Sequence, residues 1–306
     1  MIQDRRGRFG DRRFAWLGEP LPAVRISFEF FPPRSQEAAG RLWHAVERLR
    51  PLDPAYVSVT CGAGGNPAEG TGAWVDALRK RAGLQAAAHL TCASTPRAAI
   101  DGIAQDYWRQ GVRHVVALRG DWPKDGSGRD EAHYPYASDL VRALRRMADF
   151  EISVAAYPEV HPEAINEEAD LDNLKRKVDA GAGRAITQYC FDTETVLRFR
   201  DRMSRAGIDV PLAVGILPVH NFAQMARFSE RCGARVPGWL GAMFDGLETD
   251  LEQQGLVGAS VAAEQARRLI VEGIEQLHFY TLNRAELTVA ACRLLGLRPA
   301  YAAAAA

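Results

Sequence analysis

The strongest constraint on this chain is a regular alternation of short, β-branched, apolar runs with amphipathic stretches, from about residue 24 to the end. The strand-like runs are VRISFEFF (24–31), AYVSVTCG (55–62), AAAHLTC (86–92), HVVALRGD (114–121), EISVAAYPE (151–159), RAITQYCF (184–191), VPLAVGILPV (210–219) and QLHFYTL (276–282). Between them, segments such as Gln36–Arg50, Ala137–Ala148, Ala169–Ala180 and Thr195–Ala206 carry apolar residues at helical spacing. Gly83, Gly111, Gly181 and Gly207 fall where a helix stops and a turn into the next strand begins. Several runs are apolar on both faces, as strands buried in a parallel sheet are. Eight strands, seven intervening helical segments and a last helix over Ala285–Leu295 count as a (β/α)₈ TIM barrel, an α/β fold that typically takes ~250 residues.

With 306 residues, the surplus falls in an N-terminal arm (1–22), in an extra helical insertion within Val236–Gly273 before the last strand, and in a tail (299–306). Residues 23–298 then form a single barrel domain, since no Pro/Ser/Gly-rich linker divides them. A doubly wound open sheet produces the same alternation. The strand count of eight and the polar residues marking most strand ends favour the barrel, because an open sheet concentrates them at one switch point.

Composition narrows the function. A 47% hydrophobic share belongs to a chain that buries a core. The 38 basic and 38 acidic groups balance, which argues against a nucleic-acid coat while leaving room for a local cluster that meets small anions. No run approaches the ~18 apolar residues of a membrane span, and the Arg-rich start lacks the apolar core of a secretory signal. Five cysteines without a CxxC pair fit a reducing compartment, so a soluble cytoplasmic protein is expected.

In a barrel the working face is the C-terminal end of the strands. The first run ends FEFFPP. Burial between aromatic residues disfavours the charged form of a carboxylate, so Glu29 reads as a group able to hold a proton and give it up. A Glu of the barrel layers paired with an Arg from a neighbouring strand explains the residue equally well. The second run enters Gly62–Pro67, where glycines permit close approach of a ligand but Pro67 breaks the dinucleotide-binding fingerprint. His89 reads most simply as a hydrogen-bonded core histidine. Arg119, Gly120 and Asp121 form either a ligand cradle or a turn closed by an Arg–Asp pair. Tyr157 and His161 stand at the base of a loop held extended by two prolines. Asp170, Asn173 and Lys177 share a helix face, which on spacing alone is a solvated one. Gln188, in an apolar strand, is suited to bidentate hydrogen bonding with a heterocycle. Seven scattered histidines without HxH or HExxH give no metal site, and no GxSxG supports a serine nucleophile. An organic cofactor is the better reading.

SFEFFPP, VSVTCGA, AAHLTC, HVVALRGD, YASDL, SVAAYPEVHPEA with DLDNLKRKVDAGA, AITQYCFD, GILPV and FYTLNRAE, in that order over roughly residues 24–298, resemble the bacterial methylenetetrahydrofolate reductases. The resemblance implies a flavoprotein barrel of one-carbon metabolism and methionine supply. It would reduce 5,10-methylenetetrahydrofolate to 5-methyltetrahydrofolate with NADH or NADPH through FAD, by a ping-pong mechanism. It makes Glu29 the general acid toward N10 of the folate and places Asp121 beside the flavin ring, favouring a cationic iminium. FAD contacts carry over onto Thr60, Ala63, His89, Arg119, Gly120, Asp121, Tyr136, Ala137, Tyr157, His161, Ala164, Asp170, Asn173, Arg176 and Lys177. Folate contacts carry over onto Gln188, Gln224 and Arg284, with Gln188 and Phe228 also placed to meet the nicotinamide nucleotide. Cys61, the QYCFD run and His220 depart from the family pattern. No cluster of arginines for a 2′-phosphate stands out in the sequence, which inclines the reading to NADH. A homo-oligomer is the expected assembly.

Overall fold

A computed structural model describes residues 21–61, 70–122 and 131–298. Most of the expected arm and the whole tail, like Ala63 and the Gly62–Pro67 glycines, lie outside the described residues. Eight strands, β1 (Arg25–Phe30), β2 (Tyr56–Val59), β3 (Ala86–Thr91), β4 (His114–Leu118), β5 (Glu151–Ala156), β6 (Arg184–Thr187), β7 (Leu212–Ile216) and β8 (Gln276–Tyr280), pair in parallel and in chain order as a closed barrel. Closure comes from β1 pairing with β8 in a register that sets Ser27 beside His278 and Glu29 beside Tyr280.

The period of two along each strand sorts side chains between two cores. On β1, Ile26, Phe28 and Phe30 face the helices and join the main hydrophobic cluster, which also takes in Leu42 and Leu49. The barrel interior holds a smaller apolar group, Tyr56, Ala87, Val116, Ile186 and Ala213. Polar side chains are buried with it, among them Ser27, Ser58, His114, Ser153 and His278. His114 is enclosed by Ser153 (2.8 Å) and the Arg184 guanidinium (3.2 Å). Burial first, then the Arg184 charge, pulls it down to about 3, so it is a neutral filler at neutral pH.

Outside the strands lie α1 (Gln36–Leu49), α2 (Thr71–Ala82), α3 (Arg97–Arg109), α4 (Ala137–Met147), α5 (Glu167–Asp179), α6 (Thr193–Arg205), α7 (Phe222–Cys232), α8 (Gly238–Ala242), α9 (Leu251–Val271) and α10 (Glu286–Leu294). Ser35, Asn166, Asp192, Asn221 and Asp250 cap α1, α5, α6, α7 and α9, each side chain accepting an otherwise orphaned backbone N–H. The long helix α9 packs on both α6 and α10 and so completes the outer ring. The added elements are therefore α7 and α8, and the insertion starts earlier than residue 236, at the helix that follows β7. None of the described helices is long and apolar enough to cross a membrane.

One glycine fixes how α9 seats. A Cβ on Gly258 would stand 2.0 Å from the Val219 carbonyl oxygen, so the helix backbone rests directly on the segment leaving β7. That segment carries His220 and Asn221 to the barrel mouth. Gly258→Ala is expected to cost about 1–3 kcal/mol, because backbone on both sides of the contact resists overpacking. Gly40→Ala in α1, whose Cβ would meet nothing within 4 Å, is expected to stabilise by about 0.5–1 kcal/mol through helix propensity alone. Urea unfolding midpoints separate the two; indistinguishable midpoints would mean that α9 does not rest on that carbonyl.

Candidate functional site

Three adjoining cavities open at the C-terminal ends of the strands. The first, about 380 Å³, lies between the ends of β4 and β5 and the inner face of α5, and is lined by Arg119, Gly120, Asp121, Tyr136, Tyr157, His161, Asp170, Asn173, Arg176 and Lys177 among others. The second, about 200 Å³, sits over the barrel axis with Glu29, His89, Gln188, Tyr189 and Tyr280 in its wall. The third, about 490 Å³, lies under α7 beside the end of β8, with Gln224, Phe228 and Arg284 in its lining. Leu118, Ala155 and Tyr157 are shared by the first two, and Phe31, Leu217, Phe228 and Leu282 by the last two. The three form one groove across the mouth.

Glu29 is the buried acid at its floor. Its carboxylate oxygen Oε2 faces His89 Nε2 at 3.5 Å and His278 Nε2 at 3.7 Å. Among the described residues no Arg from a neighbouring strand pairs with it, unlike the expected barrel-layer Glu–Arg pair. Both Nε2 atoms are buried without a hydrogen-bond partner. Burial pulls the His89 imidazole down, against the upward pull of Glu29, so a neutral ring flanks the carboxyl. On the far side of His278, Nδ1 lies 2.7 Å from Ser27 Oγ, which also reaches the Leu277 carbonyl oxygen at 3.2 Å. A hydroxyl donates one proton. When it donates to Leu277, Nδ1–H donates to Ser27 and the lone pair of Nε2 faces Glu29, ready for a proton that the acid carries. When it donates to Nδ1, Nε2–H faces Glu29 and suits a carboxylate. Ser27 thus lets one histidine accompany both states of the acid.

The trough beside α5 gathers Arg119, Arg176 and Lys177 together with Asp121, Glu163 and Asp170. Lys177 is 7% exposed, and its Nζ donates to the Ala155 carbonyl oxygen at 2.6 Å. Desolvation pulls it down to about 8, against the upward pull of Asp170. Asp170 accepts the His161 backbone N–H at 3.0 Å and so ties the loop after β5 to α5. Tyr157 and His161 meet edge to face, 4.6 Å between ring centroids. Arg119 pairs with Glu163 at 2.6 Å rather than with Asp121, so the Arg–Asp turn is not formed. Gly120 has a φ of +77°, and a Cβ there would press on Thr91 at 3.0 Å, so the strand end needs glycine to bend into the groove. The face of α5 that spacing alone assigns to solvent is the wall of this trough.

Most residues singled out from the sequence converge here. Ala137 and Ala164 line the trough. Thr60 lies at the end of β2 outside the three cavities, where its carbonyl accepts the Thr71 hydroxyl at 2.9 Å. Gln188 reaches the inner cavity, but its Oε1 accepts the neighbouring Tyr189 N–H at 3.0 Å, leaving the NH₂ group as the end available to a ligand. Sequence reasoning missed Ser27, His278 and Asn283. Asn283 bonds both backbone groups of Phe31, accepting from N at 2.8 Å and donating to O at 2.9 Å. It and Leu282 hold left-handed backbone (φ 56° and 52°), which turns the chain so that Arg284 meets the groove. A polar Asn just past a strand was the available cue.

A closed eight-stranded barrel with a histidine-flanked acid at its mouth and a charged trough alongside has the architecture of a barrel enzyme working at the strand ends. The family model described as methylenetetrahydrofolate reductase matches residues 22–296. The 5,10-methylenetetrahydrofolate reductase of Escherichia coli is 53% identical over 283 residues, 92% of this chain and 94% of that one. The Salmonella typhimurium enzyme of the same name is 52% identical over the same shares. Methylenetetrahydrofolate reductase (NADH) 1 of Zea mays is 34% identical over 89% of this chain and 48% of its own length. Among solved structures, a Clostridium thermocellum protein titled as binding two copies of 5-methyl-5,6,7,8-tetrahydrofolic acid shares the fold at TM-score 0.57 and 15% identity, over 89% of this chain and 94% of that one. The chain belongs to the methylenetetrahydrofolate reductase family.

Lys177 gives a pH-dependent test of the trough. Its folded value of about 8 lies below the ordinary 10.5, so burying the charge costs about 3 kcal/mol below pH 8. That cost falls to nothing as pH rises to 10.5, where the lysine is neutral folded or unfolded. Allowing about 1 kcal/mol for the lost carbonyl hydrogen bond, Lys177→Met is expected to stabilise the ligand-free protein by about 2 kcal/mol at pH 7. Denaturant titrations at pH 7 and above pH 10 check this, with the advantage gone at the higher pH.

Proposed function

We propose that this protein reduces 5,10-methylenetetrahydrofolate to 5-methyltetrahydrofolate, taking the electrons from NADH or NADPH through a bound FAD in a ping-pong cycle. The observation that carries the reading is Glu29, a buried carboxyl at the floor of an aromatic-walled groove with a Ser27–His278 pair that serves both of its protonation states.

The residues of the trough fit FAD. A buried lysine whose hydrogen-bond acceptor is one carbonyl, together with Arg119, Arg176, the Asn173 amide and the turn at Gly120, offers charge and donors for a pyrophosphate. Tyr157, Gln188 and the narrow inner cavity give a flat aromatic and amide surround for a heterocycle. When bound, FAD would supply the two-electron chemistry, hydride transfer from nicotinamide to folate.

The chain's own part is binding, orientation and one proton. Phe228 stacks on Tyr189 with 6.2 Å between centroids and forms a shared wall of the inner and α7 cavities, where a nicotinamide and a pterin would alternate. Gln188 offers its NH₂ group to either ring. Gln224 and Arg284 reach the glutamate end of the folate, Arg284 pairing with a carboxylate. Glu29 gives its proton to N10 of the folate. The C–N10 bond breaks, its electron pair goes to N10, and the N5=CH₂ iminium left behind accepts the hydride at carbon. Asp121, at the trough wall, adds a negative charge toward that cation. His278 holds the carboxylate until a proton returns.

The purified protein is expected to be yellow, to bleach with NADH and to recover on adding the folate; a colourless protein that never takes up FAD would sink the reading. Glu29→Gln is expected to bind FAD and be reduced by NADH at the native rate, while flavin reoxidation by the folate falls by about 10²–10⁴. Ser27→Ala is expected to slow the same half-reaction less and to shift its pH profile, with flavin reduction unchanged. Stopped-flow absorbance resolves both half-reactions, and full folate turnover by the Glu29→Gln enzyme would refute the general-acid role.

A further inference from the structure

The QYCFD run departs from the family pattern, and its tyrosine makes contacts that the reaction described above does not use. Tyr189 follows β6 and is 2% exposed. Its backbone N–H donates to Gln188 Oε1 at 3.0 Å, which leaves the Gln188 NH₂ group as the free end. Its ring stacks on Phe228, and its hydroxyl oxygen lies 2.9 Å from Oγ of Ser229, the next residue on α7. Gln188 and Phe228, the two side chains proposed to meet both rings, are thus held by the one residue between them.

The helix α7 needs such a hold. It is an added element outside the helix ring, and only Met225 and Ser229 along it are buried. Side chains catch the backbone at its two ends: Gln254 accepts the Phe222 N–H at 2.8 Å, and Glu159 accepts the Arg235 N–H at 2.9 Å. Between those ends, the barrel reaches the helix through the Tyr189 hydroxyl. Ser229 is fully buried and donates its single proton to Met225 Sδ, one turn back, at 3.2 Å, so the tyrosine donates to the serine. Burial pushes the Tyr189 hydroxyl upward, so it keeps the proton that it donates. The Ser229 carbonyl in turn accepts the N–H groups of Gly233 and Ala234, so fixing Ser229 also fixes the turn that ends α7. A hydroxyl spent on a buried serine is not placed to give a proton to a ligand; its effect on the reaction runs through what it holds.

We infer that Tyr189 is a positioning residue: its hydroxyl pins α7 through Ser229 and so sets the Phe228 face against which the nicotinamide and the pterin both lie. This rests on the proposed folate reductase activity. A phenylalanine at the same position keeps the stack on Phe228 and the backbone hold on Gln188, and loses the pin alone. Because the two ligands meet the same wall, loosening it weakens both by one factor, as the fraction of molecules with α7 seated falls. The trough, walled by α5 and the ends of β4 and β5, is unaffected.

The experiment compares the native protein with Tyr189→Phe, Ser229→Ala and the double variant. Hydrogen exchange of the ligand-free protein, read by mass spectrometry, is expected to run about fivefold faster over Phe222–Cys232 in Tyr189→Phe, with α5 and α10 unchanged. The double variant is expected to lose no more than Ser229→Ala alone, the mark of two residues sharing one interaction. In the FAD-loaded protein, calorimetry with NAD⁺ and with folic acid is expected to give dissociation constants raised by a common factor of about two to five. The limiting rate of flavin reduction by NADH and the dissociation constant of FAD are expected to stay at native values. A residue that merely supports the fold lowers the thermal midpoint without moving the two ligand constants together, and that result overturns the proposal. So does native exchange over α7 in Tyr189→Phe, or an effect on one ligand alone. A native enzyme that binds neither ligand sinks the proposed activity and this role with it, while exchange in the ligand-free protein still reports the pin.

Discussion

The pairing of β1 with β8 is the constraint on which the site depends. It joins residues some 250 positions apart, and the shared register brings Ser27 onto His278 and Glu29 alongside Tyr280. Two side chains reinforce the seam at its upper end. Thr281 Oγ1 donates to the Glu29 carbonyl at 2.6 Å, and Asn283 clasps the Phe31 backbone. Glu29, the facing His278 and Arg284 at the groove's edge are therefore positioned by the closure itself. Contacts of this sequence separation form only after the intervening loop entropy has been met, so this cluster at the mouth is absent from any species in which the barrel is still open.

Closure also imposes a cost inside the barrel. The interior is filled by residues with a modest apolar share, and its polar members are satisfied unevenly: Ser58 Oγ, Tyr56 Oη and the Nε2 atoms of His89 and His278 have no hydrogen-bond partner. Orphaned groups of this kind are destabilising, as is the buried Lys177 charge. The outer core, with Phe28, Phe30, Phe150, Phe279 and many Leu and Ile packed between strands and helices, carries the stability that offsets them. The two faces of the same strands thus divide the stabilising core from the polar interior, so the candidate site residues Ser27, Glu29 and His278 fall at alternate positions of β1 and β8.

Much of this was legible in the sequence, and the reasons are specific. The eight strands, the barrel and the helices α1, α4, α5 and α6 follow from periodicity and terminal glycines, since each reports a local preference. Glu29 was legible as a candidate acid because its neighbours on the strand are aromatic, and the structure places it at the groove floor. What spacing could not supply was pairing across the chain. Nothing local to QLHFYTL tells that His278 faces Glu29, because the β1–β8 register is settled by the whole ring. The α5 face was misread from spacing for the same reason: a helix surface bearing Asp170, Asn173 and Lys177 looks solvated until the loop after β5 folds over it. Only the family resemblance assigned those residues to a binding site, and the structure brings them into one cavity wall. The seventh ring helix was obscured because α7, α8 and α9 all lie between β7 and β8, and only packing on α6 and α10 shows that α9 holds the ring position.

The balanced formal charge acquires a different meaning once side chains are located. Many carboxylates on the flanks are matched by arginines one helical turn away and cancel locally. Around the mouth, Arg176 in the trough and Arg227, Arg231 and Arg284 beside α7 have no such partner among the described residues, and Lys177 is buried against a carbonyl. Within a Debye length of about 8–10 Å of the groove, a ligand meets these local charges, with Asp121, Glu163 and Asp170 beside the cations of the trough, and not the neutral sum. Low-dielectric walls such as Phe31, Phe228 and Tyr189 strengthen the field it experiences. A protein of zero net charge can in this way draw anions to one face while avoiding the indiscriminate attraction that a basic surface would bring. Segregation of paired and unpaired cations, more than their number, is what a composition cannot report.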